Sequence, residues 1–132
     1  MTSPRKVAGA RVLITGGASG LGALLATELA MRGATEIVLW DRDAEGLERV
    51  AGQLELLGAH AHSYRVELTD AADIAETGER TLAALGGIDI CINSAGVVAG
   101  RDFSELTDEA LVRTFEVNTL AQFRVIRAVL PG

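Results

Sequence analysis

Thr15-Gly16-Gly17-Ala18-Ser19-Gly20-Leu21-Gly22 decides how the rest of the chain is read. Before it stands a short apolar run, Ala10-Arg11-Val12-Leu13-Ile14, and after it residues 21–32 follow a helical period. A glycine-rich turn between a strand and a helix lets backbone come close to something bulky and presents the free N–H groups of a first helical turn. The positive end of the helix dipole adds to these donors, so the segment reads as a phosphate site. Gly16, Gly20 and Gly22 are spaced Gly-x-x-x-Gly-x-Gly, without the Gly-Lys-Ser/Thr of a nucleoside-triphosphate loop, which disfavours a nucleoside triphosphatase.

Outward from this loop, residues 22–32 place Leu24, Leu25 and Leu29 on a helical period, and Gly33 ends the helix. Glu36-Ile37-Val38-Leu39-Trp40 is a second strand, completing a β-α-β unit of about thirty residues whose strands are parallel neighbours. Asp41 follows about twenty residues after the last glycine, where a dinucleotide fold places the acid that accepts from the ribose 2′-OH. A carboxylate there repels a 2′-phosphate, so NAD is expected as cofactor over NADP. Arg42 beside it is the kind of guanidinium through which such sites admit the phosphate, whereas Ser19 adds no cation. Asp43 suits the N-cap of the next helix, which leaves Asp41 free for the ribose.

Residues 43–57 carry Leu47, Val50, Ala51, Leu54 and Leu57 on one helical face, and Gly58 ends that run. Residues 59–68 read as a third strand. Thr69 or Asp70 then caps a helix with Ile74, Leu82 and Leu85 that runs to Gly86-Gly87. Gly78 weakens its middle by up to about 1 kcal/mol. His60 and His62 alternate along the third strand and point to one side, but no third ligand lies at suitable spacing, so they read as the polar face of an exposed strand and no metal is expected. Residues 88–92 form a short apolar fourth strand suited to a parallel sheet covered on both faces. Thr107, Asp108 and Glu109 open the longest helix, which runs to about Leu130 before Pro131 stops it. Its apolar residues, among them Val112, Phe115, Leu120, Phe123 and Val125, occupy more than one face and predict cover on two sides.

The loop at 15–22 closely resembles the cofactor loop of the short-chain dehydrogenase/reductase family. Asn93-Ser94-Ala95-Gly96, after the fourth strand, resembles the same family's Asn-Asn-Ala-Gly motif, with Ser94 in place of the second asparagine. The resemblance implies an α/β, Rossmann-type, doubly wound parallel sheet of strand order 3-2-1-4. It implies cofactor contacts from Gly16, Ser19, Gly20, Leu21, Gly22, Asp41, Arg42, Glu67, Leu68, Asn93, Ala95 and Gly96. In the family the motif's asparagine ties neighbouring strands together, and its small residues let ribose and nicotinamide approach. Glu67 stands where the family usually carries an Asp that bonds the adenine amino group; as a bare residue it reads equally well as a solvated strand end. Asn118 matches the asparagine that completes a catalytic tetrad with Ser, Tyr and Lys. Without that match it reads as a side chain bonded back to its helix or exposed. Residues 40–41, 66–70 and 115–118 resemble most the branch acting on hydroxysteroids and retinoids.

The family's later elements, a fifth strand with the catalytic Ser and a helix with Tyr-x-x-x-Lys, have no counterpart in this sequence. Tyr64 is the one tyrosine, placed on the third strand, and Lys6 the one lysine. Residues 1–132 are therefore expected to form a single, incomplete NAD(P)-binding domain, truncated before the fifth strand. It would be the cofactor half of an oxidoreductase that interconverts alcohols with ketones or aldehydes, with little or no activity alone. A non-catalytic nucleotide-binding or dimerising module is the alternative; an S-adenosylmethionine methyltransferase fits the general fold but not the paired motifs. The apolar fourth strand would lie at a sheet edge and need cover, and a homo-oligomer through helix 108–130 is expected.

Composition bounds these readings. A 132-residue chain with 48% hydrophobic residues builds one core, and its net charge of −6 disfavours nucleic acid and anionic membrane as partners. Cys91, the single cysteine, lies in an apolar run and reads as a buried thiol in a reducing compartment. Residues 1–6 are polar and basic with no signal-peptide hydrophobic region after them, and no segment reaches membrane-spanning length, so a cytoplasmic location is expected.

Overall fold

A single parallel sheet of four strands, ordered β3-β2-β1-β4, organises the computed structural model, which describes residues 6–130. In chain order the elements are β1 (Arg11–Thr15), α1 (Gly20–Met31), β2 (Glu36–Asp41), α2 (Ala44–Leu56), β3 (His60–Arg65), α3 (Ala71–Leu85), β4 (Ile90–Asn93), α4 (Asp108–Phe115) and α5 (Ala121–Val129). The expected doubly wound order is the observed one. β3 and β4 differ in extent from the expected strands 59–68 and 88–92; next to them single backbone bonds, Val66 N–H to the Asp41 carbonyl and Asp89 N–H to the Arg11 carbonyl, each 2.9 Å, tie the flanking residues to the sheet.

Side chains alternate across β1 and build two core clusters, one on each face of the sheet, where a single core was expected, because a parallel sheet covered by helices on both faces buries side chains on both. Val12 and Ile14, with Ile37 and Leu39, face α1 and α2 and pack on Ala26, Ala30, Leu47, Val50 and Leu54. Leu13, Val38 and Trp40 face the other way, against Ile74 of α3 and Ala121, Val125 and Val129 of α5. Trp40 is fully buried, and its indole N–H donates to Thr81 Oγ1 at 3.1 Å, so its one polar atom is satisfied inside the core.

Gly78 has a different role from the one its helix propensity suggests. A Cβ there would lie 2.7 Å from the Ala128 Cβ and 2.9 Å from the Ala128 carbonyl oxygen, so the glycine lets α3 and α5 touch. Asp70, rather than Thr69, caps α3, accepting from the Ala72 and Asp73 N–H groups. Cys91 is half-buried beside the second core rather than sealed in it, and burial pushes its thiol pKa up.

At the N-terminal end of β1, Arg11 and Asp89 form a closed clamp. The Asp89 carboxylate accepts from the Arg11 N–H at 2.9 Å, from Nε at 3.0 Å and from Nη2 at 3.2 Å, while Nη1 donates to the Leu85 carbonyl. Hydrogen bonding to Asp89 raises the guanidinium pKa further above its usual range.

The last helix is interrupted. α4 passes into a π-helical turn at Glu116–Leu120 and then into α5. Such a turn carries one extra residue and re-aims the side chains within it. Ala121, Val125 and Val129 face the core, while Val112, Phe115, Phe123, Ile126 and Leu130 are exposed, so the described residues cover only one of the two sides expected to be covered. Pro131, expected as the helix stop, and residues 1–5 lie outside the described residues. Among the described residues no helix is long and apolar enough to cross a membrane.

Candidate functional site

A cavity of about 290 Å³ opens at the C-terminal ends of the strands, where open parallel α/β sheets place their ligands. It lies between the loop after β1 and the loop after β4. Gly16, Ser19, Leu21, Gly22, Asp41, Arg42, Glu67, Leu68, Ala95 and Gly96 all line it. Ten of the expected contacts, drawn from four separate loops, thus converge on one space.

The backbone builds the cavity's mouth. Gly16 has φ +70°, and a Cβ on it would stand 2.8 Å from the Ala95 backbone, so glycine there lets the two loops meet. A Cβ on Gly22 would run into the Gly16 carbonyl oxygen, which holds the first turn of α1 against the loop. Ser19 precedes that turn in extended geometry and makes no capping bond, and the turn holds no acidic residue. By contrast, Asp43, Asp70 and Thr107 each cap the helix that follows with a side-chain oxygen. The N–H groups that open α1 have no side-chain cap.

Asp41 is not free in the sense expected. Its Oδ2 accepts from the Ala18 N–H at 3.1 Å and its Oδ1 from the Asp43 N–H at 3.1 Å, so the carboxylate fastens the glycine loop to the end of β2. A carboxylate offers about four acceptor positions, and Asp41 keeps the remainder at the cavity wall. Asp43 caps α2 as expected, accepting from the Gly46 N–H. The Glu67 side chain folds onto Thr69, whose hydroxyl donates to Oε1 at 3.0 Å, and the Glu67 N–H donates to Asp73 Oδ2 at 2.8 Å.

Three expected site residues do not line the cavity. Gly20, at φ +55°, has open space where a Cβ would stand, and its contribution is the turn itself. Asn93 pairs in register with Thr15, and its Nδ2 reaches only to 4.0 Å from Cys91 Sγ. The tie between β1 and the loop after β4 comes from Thr15, whose Oγ1 accepts from the Ala95 N–H at 3.3 Å. Asn118 stands in the π-helical turn and is neither exposed nor bonded back to its own helix. Its Oδ1 accepts from the Val97 N–H at 2.8 Å and its Nδ2 donates to the Val97 carbonyl at 2.9 Å. These bonds fix the Gly96-Val97 wall of the cavity.

Val66, Ser94, Val97, Arg113 and Val117 line the cavity too: Ser94, Val66 and Val117 fall in stretches that carry the family resemblance but were not expected as contacts, and Val97 and Arg113 were not singled out from the sequence. Arg113 adds a second guanidinium to that of Arg42. Its signal was available, since Arg113 and Val117 lie four residues apart and so share a helix face.

Comparison with known proteins agrees with this geometry. The family model described as short chain dehydrogenase matches residues 10–132. The 17-beta-hydroxysteroid dehydrogenase 13 of Rattus norvegicus is 38% identical over 128 residues, covering 97% of this chain; the chain spans 42% of that relative's length. Among solved structures, an NAD+-bound xylitol dehydrogenase matches 95% of this chain with a TM-score of 0.87 at 28% identity, the match covering 48% of that protein. A metagenomic short-chain oxidoreductase in complex with NADP matches 96% of this chain with a TM-score of 0.86 at 30% identity, and 57% of its own chain is covered.

Proposed function

This chain belongs to the short-chain dehydrogenase family, and on that premise we propose that its cavity binds a nicotinamide dinucleotide, NAD in preference to NADP, as the cofactor half of an alcohol–carbonyl oxidoreductase. The observation that carries the reading is the uncapped N-terminus of α1 opening into a cavity that Asp41 also lines. The N–H groups after Ser19 fit the pyrophosphate, and the small residues Ala95 and Gly96 leave room for the ribose and nicotinamide. Asp41 accepts from the ribose 2′-OH. A carboxylate at that point disfavours a 2′-phosphate, although Arg42 and Arg113 supply positive charge nearby.

A bound nicotinamide supplies hydride chemistry; the chain's own residues hold and orient it. Asn118 acts as a positioning residue through Val97. Proton transfer to a substrate oxygen needs a donor within hydrogen-bond reach, and Tyr64 does not offer one. Its ring packs beside the second core with the Arg80 guanidinium 4.6 Å from its centre. This chain alone therefore has little or no dehydrogenase activity. The exposed apolar face of α4 and α5 fits a second copy of the chain, and a hydroxysteroid-like substrate for the intact enzyme follows only from the relatives' names.

Fluorescence of NADH titrated with the chain tests the reading. Saturable enhancement, reversed by NAD and by adenosine diphosphoribose, supports it; no enhancement at millimolar-range ligand contradicts it. A non-catalytic module that binds the cofactor is the second reading, favoured by the place of Tyr64. Turnover of a secondary alcohol by this chain would exclude it.

A further inference from the structure

The polar edge of β3 carries a cluster remote from the cofactor cavity. Glu36 begins β2 and His60 begins β3, and the parallel register sets them opposite each other; His62, two residues on, lies on the same side of the sheet. The sequence spacing offered the two histidines no third partner, and the register supplies one. Glu36 Oε2 lies 2.8 Å from His62 Nε2, and Oε1 lies 3.5 Å from His60 Nδ1. All three candidate ligand atoms fall within 4.8 Å of one another. The rings are set edge to face at 73°, with both of these nitrogens close to the one carboxylate.

Two imidazole nitrogens and a carboxylate oxygen form a donor set suited to a borderline divalent transition metal such as Zn²⁺, with a fourth position left to water. The set suits Mg²⁺ poorly, because that ion prefers oxygen ligands. The hydrogen bond between Glu36 and His62 explains those two residues but not His60. Its side chain is 75% exposed yet stands beside the same carboxylate, at a distance too long for a good hydrogen bond.

We infer that Glu36, His60 and His62 form a site for a Zn²⁺-class divalent cation. The ion joins the first residue of β2 to the edge strand β3, at the opposite end of the strands from the cofactor cavity. Only the folded register brings Glu36 to the two histidines, so the ion binds the folded chain more tightly than the unfolded one and stabilises the fold as it fills the site.

The test uses the full chain without a histidine tag. Zn²⁺ titrated by calorimetry should bind at one equivalent and raise the melting temperature, while Mg²⁺ should do neither. Co²⁺ in the same site should give a visible spectrum without thiolate charge transfer, because Cys91 stands on β4 at the other edge of the sheet. His60→Ala, at an exposed position, should melt like the parent without metal and lose saturable Zn²⁺ binding; Glu36→Gln should lose it as well. Absence of saturable Zn²⁺ binding by the parent chain overturns the inference. So does Zn²⁺ binding that survives unchanged in both variants.

Discussion

The two ends of the parallel sheet are finished in opposite ways. At the N-terminal end, polar groups are paired with one another: Arg11 and Asp89 share three hydrogen bonds, and Glu36 reaches His62. At the C-terminal end, the chain spends polar groups on shaping an opening. Asp41 pins the glycine loop, Thr15 pins the loop after β4, Asn118 pins Val97, and the start of α1 stays uncapped. The closed end pairs polar groups across neighbouring strands, and the open end fastens loops to one another around a cavity. The difference is one of placement: the same kinds of polar group close one end of the sheet and frame a cavity at the other.

Substitutions at the two ends should therefore differ in kind. Gly16→Val should have the largest effect, because it combines a positive φ with a clash against the Ala95 backbone. We expect loss of dinucleotide binding and a destabilisation of about 3 kcal/mol or more, read by urea unfolding. Unchanged binding would remove the glycine loop from the account. Asn118→Ala removes two hydrogen bonds to Val97 and should cost about 2 kcal/mol, with weaker cofactor binding. A loss of stability with intact binding would move Asn118 to the structural side of the comparison.

Asp41→Ala should weaken binding of both cofactors, since the Ala18 N–H loses its acceptor. The loss for NAD should exceed that for NADP by about tenfold, near 1.4 kcal/mol. Equal losses would mean that Asp41 serves the loop alone. Arg11→Ala should have the smallest effect on binding. It should lower the melting temperature and leave NAD affinity unchanged, and a fall in affinity would show that the two ends are coupled.

Much of this fold is legible in the sequence because it is local. The apolar runs of β1 and β2, the helical periods and the caps at Asp43 and Asp70 each depend on a few neighbouring residues. The glycine loop is legible because only glycine serves where backbone meets backbone. What stayed hidden depends on register or on packing between distant segments. Glu36 meets His60 across a strand pair, and Gly78 answers to Ala128 rather than to its own helix. Thr15 takes the role expected of Asn93 because its hydroxyl faces the Ala95 N–H, a fact fixed by the pairing of β1 with β4. The π-helical turn was invisible for a similar reason. Its residues fit an ordinary helical pattern, and the bonds of Asn118 to a loop about twenty residues away accompany the altered turn.

Calorimetric titration of this chain with NAD and, in parallel, with NADP tests most directly the claim that the open end of the sheet is a dinucleotide site. The account predicts saturable binding at one equivalent, tighter for NAD. Absence of binding by a chain that unfolds cooperatively, or clear preference for NADP, would contradict it.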